Sequence, residues 1–293
     1  MEISLEILIE RSARSKRILE DCTLCPRDCR VNRLEGELGY CGIGARARIS
    51  SSGPHFGEEP PLVGRCGSGT IFFARCNMGC LFCQNYEISQ YGEGDEVDGE
   101  GLAEIMSSLQ TQGCHNINLV TPTHVVPQIL EALSLVQGMG LRLPIVYNCG
   151  GYESLSTLKL LEGVIDIYMP DAKYASGEIA QQLSDAPDYP EIMLQALREM
   201  HQQVGDLEID PRGVATKGLL VRHLVLPHGL AGTREVARFL AREISPHTYL
   251  NIMDQYRPTH RAHEYGRISR RITLQEYRDA IDMALQEGLH RGF

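Results

Sequence analysis

Short apolar runs alternate with longer amphipathic segments from residue 70 onward, and this alternation predicts the fold. The predicted strands are Thr70–Arg75, Ile117–Thr121, Pro144–Asn148, Val164–Met169, Leu219–Leu226 and Thr248–Met253. Helices are predicted at about 99–112, 125–137, 154–162, 190–204, 232–243 and 273–288. Strands that are almost continuous in Val, Ile and Leu are typical of parallel sheets covered on both faces. The pattern therefore predicts an α/β fold, a partial (β/α)6 TIM-type barrel.

The first 69 residues follow a different pattern. Glu6 to Leu19 is predicted to form one amphipathic helix, and a loop-rich stretch with many glycines follows it. This stretch has few apolar runs but contains four closely spaced cysteines, Cys22, Cys25, Cys29 and Cys41. Such a segment is expected to need a metal to hold its shape. We therefore divide the chain into a Cys-rich extension at 1–69 and a barrel domain with a C-terminal helix at 70–293.

Composition narrows the possible functions. The chain has 293 residues, 43% of them hydrophobic, and no stretch approaches the ~18 apolar residues of a membrane span. A net charge of −10 argues against binding to nucleic acid. The N-terminus does not resemble an export signal, which predicts a cytoplasmic protein. Ten cysteines in such a protein indicate metal ligation rather than disulfides.

The most informative motif is a cysteine triplet that directly follows the first barrel strand. Cys76, Cys80 and Cys83 have the spacing C-x3-C-x2-C. Three thiolates can ligate three irons of a [4Fe-4S] cluster and leave the fourth iron open for chemistry. A structural zinc ion is the alternative, but it requires four ligands and the loop offers three.

Other polar and glycine-rich residues also follow strands. They are Thr121 to His124, Asn148 to Gly151, and Met169 to Lys173, while Arg222 and His223 lie within the fifth strand. Active residues of such barrels lie at the carboxyl ends of the strands, so one shared site is expected. Because Arg222 and His223 are adjacent, only one of the two is expected to point into the barrel.

The triplet in this strand pattern resembles the radical S-adenosylmethionine (SAM) superfamily over about residues 70 to 255. Phe82 before the third cysteine, with Gln84 and Asn85 after it, resembles the cysteine loop of enzymes that activate glycyl-radical enzymes, such as the pyruvate formate-lyase activating enzyme. Asp171 and Lys173 resemble the fourth-strand motif of that group. The N-terminal Cys-x2-Cys-Pro-Arg-Asp-Cys pattern resembles a branch described as activating-enzyme-like (PflX-type).

The resemblance implies a mechanism. Cys76, Cys80 and Cys83 would ligate the cluster, SAM would chelate its open iron, and reduction would yield a 5′-deoxyadenosyl radical that abstracts hydrogen from a substrate. Phe82 would lie against the adenine, and Asn85 is predicted to help bind the cofactor. An external one-electron donor such as flavodoxin or ferredoxin is expected. The substrate would be a glycine on a partner protein, a peptide residue or a small molecule.

The chain departs from the family pattern at two turns. The family carries Gly-Gly-Glu after the second strand, where this chain has Thr121-Pro122-Thr123-His124. Hydroxyls and an imidazole can accept the same hydrogen bonds from SAM, so these residues are candidate substitutes; alternatively, Thr121 and Thr123 cap the next helix.

The second departure is at the end of the third strand. The family's Asp-Thr-Asn-Gly is replaced there by Asn148-Cys149-Gly150-Gly151, so no bound cation is predicted. Asn148, Gly150, Gly151 and Arg222 are still expected to contact SAM.

The N-terminal tetrad of Cys22, Cys25, Cys29 and Cys41 can close a structural zinc site or ligate a second [4Fe-4S] cluster, and the spacing does not choose between them. Two other functions compete with a radical SAM enzyme. One is an iron–sulfur electron carrier or redox sensor without SAM chemistry. The other is a zinc-stabilised interaction protein.

Overall fold

A nine-stranded sheet organises residues 3–293, the part of the chain that the computed structural model describes. The strands are β1 Ala47–His55, β2 Ser68–Phe73, β3 Asp95–Val97, β4 Ile117–Val120, β5 Ile145–Cys149, β6 Ile167–Pro170, β7 Glu208–Ile209, β8 Ala215–Leu224 and β9 Tyr249–Met253. The α-helices are α1 Leu5–Arg17, α2 Pro60–Val63, α3 Gly99–Thr111, α4 Val126–Gly138, α5 Leu155–Leu160, α6 Gly177–Ser184, α7 Tyr189–Val204, α8 Thr233–Phe239 and α9 Leu274–Glu287.

Six of these strands form the predicted barrel. In the order β2-β4-β5-β6-β8-β9, every neighbouring pair is parallel. The predicted (β/α)6 partial barrel is therefore confirmed, with strand ends that differ from the predicted ones by at most four residues. Because all six strands run the same way, their carboxyl ends meet at one rim.

Local sequence signals set the ends of the longer helices. At α9, the Thr273 hydroxyl accepts a hydrogen bond from the backbone N–H of Glu276 at 3.1 Å. The Glu276 carboxylate in turn accepts the backbone N–H of Thr273 at 2.7 Å. This reciprocal cap satisfies two free helix donors. Gly288 ends the helix in the left-handed conformation with φ +103°.

The segment before residue 70 is joined to the barrel sheet. Strand β1 pairs antiparallel with β2, and β3 pairs antiparallel with β1. The division predicted at residues 69 and 70 thus falls inside β2. Strands β1, β3 and β7 and helices α2 and α6 are not among the predicted elements. In β1 the sequence Ser50-Ser51-Ser52-Gly53-Pro54 has no apolar residue that would indicate a strand.

Side chains alternate between the barrel lumen and the helix-covered outer face. The lumen contains a small apolar cluster, separate from the main core, that comprises Leu62, Val146, Ile167, Met169, Leu207, Ala215 and Leu220. Polar side chains adjoin this cluster because residues two apart on a strand face the same side. Among residues 3–293, no helix is long and apolar enough to cross a membrane.

Candidate functional site

The cysteine triplet lies on the rim loop that follows β2. Arg75, at the start of the loop, has the left-handed backbone conformation with φ +71°, which turns the chain sharply out of the strand. The loop is anchored to the end of α6, since Gly79 N–H donates to the Ser184 carbonyl at 3.2 Å and Leu81 N–H to the Leu183 carbonyl at 2.9 Å. The three predicted cluster ligands are thus presented together at the carboxyl end of the sheet.

Each of the three thiols has a hydrogen-bond partner. The Met78 backbone N–H donates to Cys76 Sγ at 3.4 Å, and the Ser184 hydroxyl donates to Cys80 Sγ at 2.9 Å. Cys83 Sγ lies 3.1 Å from the Ser89 hydroxyl. Donors of this kind stabilise thiolates and tune cluster potentials, so the loop suits the ligand set of a [4Fe-4S] cluster.

The thiols of the cysteine loop also influence each other's pKa values. Burial raises the pKa of Cys76 and of Cys80, and the neighbouring thiols add to the effect, whereas Lys173 lowers both values. Within residues 3–293, no three His, Cys, Asp or Glu side chains converge as they would around a single metal ion. A four-iron cluster takes one thiolate per iron, so its cysteines need not meet at one point.

A charged layer lies beside the cysteine loop. Arg222 Nε donates to Asp171 Oδ1 at 2.8 Å, Arg222 Nη2 donates to Asn148 Oδ1 at 2.8 Å, and Lys173 Nζ donates to Asp171 Oδ2. Burial opposes ionisation of Asp171, but Arg222 and Lys173 outweigh it and hold its pKa below the ordinary value. Burial likewise opposes the charge of Lys173, yet Asp171 and Cys80 raise its pKa to about 12. Asp171, Lys173 and Arg222 are therefore ionised at neutral pH.

Arg222 and His223, which are adjacent in β8, point to opposite faces of the sheet, as expected for a strand. Arg222 joins the charged layer, whereas His223 packs on the helix side. The ring of His223 contacts the Ala172 carbonyl at 2.6 Å and the Thr233 hydroxyl at 2.9 Å. Burial lowers the pKa of His223, so it is a neutral structural residue.

Two carboxyls that the sequence analysis missed complete the charged layer. Glu59 Oε1 lies 3.8 Å from Arg222 Nη1 and accepts a hydrogen bond from Asn251 Nδ2 at 3.0 Å. Burial raises the pKa of Glu58 to about 7, with Arg222 opposing and Glu59 adding to the rise. Both residues belong to the chain between β1 and α2, and only the Glu-Glu-Pro-Pro sequence could have drawn attention to them.

Aromatic rings and glycines surround the loop. Phe82 is buried and makes edge contacts with Tyr174 and Tyr256, with ring centroids 6.5 and 5.7 Å apart. A Cβ on Gly150 would lie 3.1 Å from Met78 Sδ, and one on Gly151 would lie 2.2 Å from the Asp171 carbonyl oxygen. At Gly151, with φ +78°, only glycine fits, because the chain there packs directly against the backbone of Asp171.

The remaining predicted cofactor-binding residues lie in several places. Thr121 follows β4 with φ +59°, a strained conformation for a residue other than glycine. Thr123 is buried and donates to Glu153 Oε1 at 2.7 Å, and no side chain caps α4, so the capping alternative is not found. Asn85 is exposed on the turn after the loop.

Glu153 is a further buried residue that the sequence analysis missed. Its carboxyl also accepts a hydrogen bond from the Tyr147 hydroxyl at 2.9 Å, and burial raises its pKa to about 7. Its position shortly after β5 was the available signal.

The four N-terminal cysteines line one small cavity together with Arg33 and His124. This cavity adjoins the cysteine loop of β2, because Arg27 Nε donates to the Asn77 carbonyl at 2.8 Å. Arg27 also stacks on Tyr40 with its guanidinium 3.7 Å from the ring centroid. His124, predicted to contact SAM, thus lies with the N-terminal cysteines.

Comparisons with known proteins place the chain as follows. It is 32% identical over 280 residues to "Uncharacterized protein MJ0674" of Methanocaldococcus jannaschii, a match that covers 92% of this chain and 76% of that protein. No family model matches the chain.

Among solved structures, Streptococcus suis SuiB bound to precursor peptide SuiA matches 80% of this chain and 47% of its own, with a TM-score of 0.50 and 11% identity. This likeness shows a shared fold. A radical SAM methyltransferase from Sphaerobacter thermophilus (TM-score 0.49, 13% identity) matches 76% of this chain and 64% of its own. For methylornithine synthase (PylB), with a TM-score of 0.49 and 16% identity, the shares are 73% and 60%. The chain thus spans less than two thirds of each of these structures.

Proposed function

The chain belongs to the family of protein MJ0674 of Methanocaldococcus jannaschii, and we propose that it is a radical SAM enzyme. Cys76, Cys80 and Cys83 would hold a [4Fe-4S] cluster. The observation that carries the proposal is the placement of these three thiols, each with a hydrogen-bond partner, on the rim loop after the first parallel strand.

When bound, the cluster and SAM would supply reductive cleavage of the sulfonium bond to a 5′-deoxyadenosyl radical. The protein's task is then to bind SAM and the substrate, to orient their reacting atoms and to exclude water. Lys173 places a permanent cation next to Cys80 and would meet the carboxylate of SAM. Buried Phe82 would form an apolar wall for the adenine.

Arg222 has a supporting role in this proposal. Two of its guanidinium nitrogens donate to Asp171 and Asn148, and the third faces Glu59. With its donors engaged, Arg222 positions Asp171, which in turn holds the ammonium of Lys173. The planar, always charged guanidinium suits this fixed geometry better than lysine would.

The finer assignments extend the same proposal. We place the enzyme in the activating-enzyme-like group, because Asp171 and Lys173 lie beside the cysteine loop as that resemblance implies. Its substrate would be a protein or peptide hydrogen donor, and a flavodoxin or ferredoxin would supply the electron. The four thiols that line the N-terminal cavity would hold a second metal, either zinc or an iron–sulfur cluster.

The test is anaerobic reconstitution with iron and sulfide, followed by incubation with SAM and dithionite. We expect 5′-deoxyadenosine from the unaltered chain and none from a variant with Cys76, Cys80 and Cys83 all replaced by Ala. Cys66→Ala is the matched control, because this exposed cysteine lies outside both sites, and it should retain activity. An intact cluster with no 5′-deoxyadenosine would contradict the proposal and favour an electron carrier instead.

A further inference from the structure

The cavity between the N-terminal cysteines brings four thiols within electrostatic range of one another. Burial raises the pKa of Cys25 to about 12, and Cys41 and Cys29 add to that rise. Burial also raises the pKa of Cys41, with Arg33 opposing and Cys22 adding to the effect. Four thiols that line one cavity are a donor set for a metal cation, which would hold them as thiolates.

Arg33 supplies the first independent sign that an anionic centre belongs here. Its side chain is buried, with 1% exposure, and it donates to the Gly44 and His124 carbonyls at 2.9 to 3.1 Å. Arg33 Nη1 lies 3.9 Å from Cys22 Sγ. The hydrogen-bond partners of Arg33 in the described part of the chain are carbonyl oxygens and the Cys22 thiol. Because an unpaired buried cation is costly, metal-bound thiolates are the fitting counter-charge.

His124 supplies the second sign. The imidazole has 1% exposure, and its Nε2 lies 2.8 Å from the Ala74 carbonyl, which can only accept, so the Nε2 nitrogen carries the proton. The other nitrogen, Nδ1, is buried without a hydrogen-bond partner in the described part of the chain. Because the ring proton lies on Nε2, the unpartnered Nδ1 offers a lone pair.

This arrangement matches that of metal-binding histidines. Such a histidine usually donates one N–H to a backbone carbonyl and presents its other nitrogen to the metal. His124 lines the same cavity as the cysteines, and its N–H is bound to Ala74. Thiolate and imidazole are ligands for zinc and for the irons of an iron–sulfur cluster. Because no three such side chains of residues 3–293 converge on one point, the described geometry favours a cluster, which takes one protein ligand per iron.

We infer that His124 is a ligand of the N-terminal metal centre, where Nδ1 fills one of four ligand positions and three of the cavity cysteines fill the others. The inference rests on the proposal that these cysteines bind a metal. It moves His124 from the predicted SAM contact to the second centre. The two centres remain neighbours, since His124 contacts Ala74, two residues before Cys76.

The experiment uses the full chain with Cys76, Cys80 and Cys83 replaced by Ala, so that only the N-terminal metal is observed. Metal and sulfide analysis decides between zinc and iron. For zinc, X-ray absorption should show a nitrogen ligand at about 2.0–2.1 Å beside sulfur at about 2.3 Å. For a cluster, pulsed EPR should show nitrogen coupling that changes when histidine is labelled with ¹⁵N.

In the same background, His124→Ala should remove the nitrogen signal and lower metal affinity by at least about tenfold. His115→Ala is the matched control, because His115 Nε2 already accepts the backbone N–H groups of Arg65 and Cys66. A sulfur-only shell in the chain that retains His124, unchanged affinity in His124→Ala, or absence of any metal would overturn the inference. Failure of SAM cleavage would leave these readouts unaffected.

Discussion

Replacing Arg222 by methionine removes the cation that the lumen carboxyls share. Its guanidinium binds Asp171 at 2.8 Å and faces Glu59 at 3.8 Å, and the side chains of these two acids are only 14% and 5% exposed. Removing one partner of such a buried pair costs about 3–5 kcal/mol, because the other charge is left uncompensated. We expect a loss of that size in the free energy of unfolding at pH 8.

The loss should depend on pH in a defined direction. Without Arg222, which opposes the rise, the pKa of Glu58 increases further in the folded state, so folding takes up protons above pH 5. A carboxyl with a raised folded pKa gives stability that is lost as pH rises through that value. The variant should therefore approach the unaltered chain at pH 5.5 and fall away from it at pH 8.

Urea unfolding of the metal-free chain, followed by circular dichroism at both pH values, measures this loss. Arg222→Met combined with Glu59→Gln should recover part of it, because one buried charge is removed. Arg212→Met is the control, since Arg212 is 79% exposed in its pair with Asp210 and should change stability by less than about 0.5 kcal/mol. A loss below about 1 kcal/mol at pH 8 for Arg222→Met would refute the shared-cation account.

Three further predictions concern the surroundings of the site. The pKa of Glu153 is raised to about 7 from an ordinary 4.5, so the free energy of unfolding should fall as pH rises from 5 to 8. In Glu153→Gln, denaturation curves should show up to about 3 kcal/mol less change in the free energy of unfolding between these pH values. Gly151→Ala should lower the melting temperature by several degrees, because residue 151 has φ +78° and the new Cβ would lie 2.2 Å from the Asp171 carbonyl oxygen. Gly150→Ala is the control and should not lower it, because its Cβ would contact the flexible side chain of Met78. Ser184→Ala removes the donor to Cys80 and should lower the potential of the reconstituted cluster by about 40 mV in an EPR titration, and an unchanged potential would contradict that role.

The barrel could be predicted because its signal is local. The six parallel strands are near-continuous apolar runs, and α9 carries a capping sequence at Thr273 and Glu276. Strand β1 gave no such signal, since its central Ser and Gly residues are held in place by pairing with β2 rather than by their own preferences. The pattern of apolar residues therefore predicts the six parallel strands but not the antiparallel strand β1 at the edge of the barrel sheet.

The candidate site was predictable only where strand ends set it. Asp171, Lys173 and Asn148 come together because parallel strands end at one rim. Glu59 reaches Arg222 through the chain that links β1 to α2, and His124 turns toward the N-terminal cysteines through its contact with Ala74. Both contacts depend on packing between segments that are distant in the sequence, so the spacing of residues along the chain could not predict them.

The most direct test of the central claim is pulsed EPR of the reduced cluster with SAM labelled with ¹⁵N at its amino group. If Cys76, Cys80 and Cys83 leave one iron open, the unaltered chain should show coupling between the cluster and this nitrogen. Replacing all three cysteines with Ala should abolish the signal. A reduced cluster held by these cysteines that shows no coupling with saturating SAM would contradict the account.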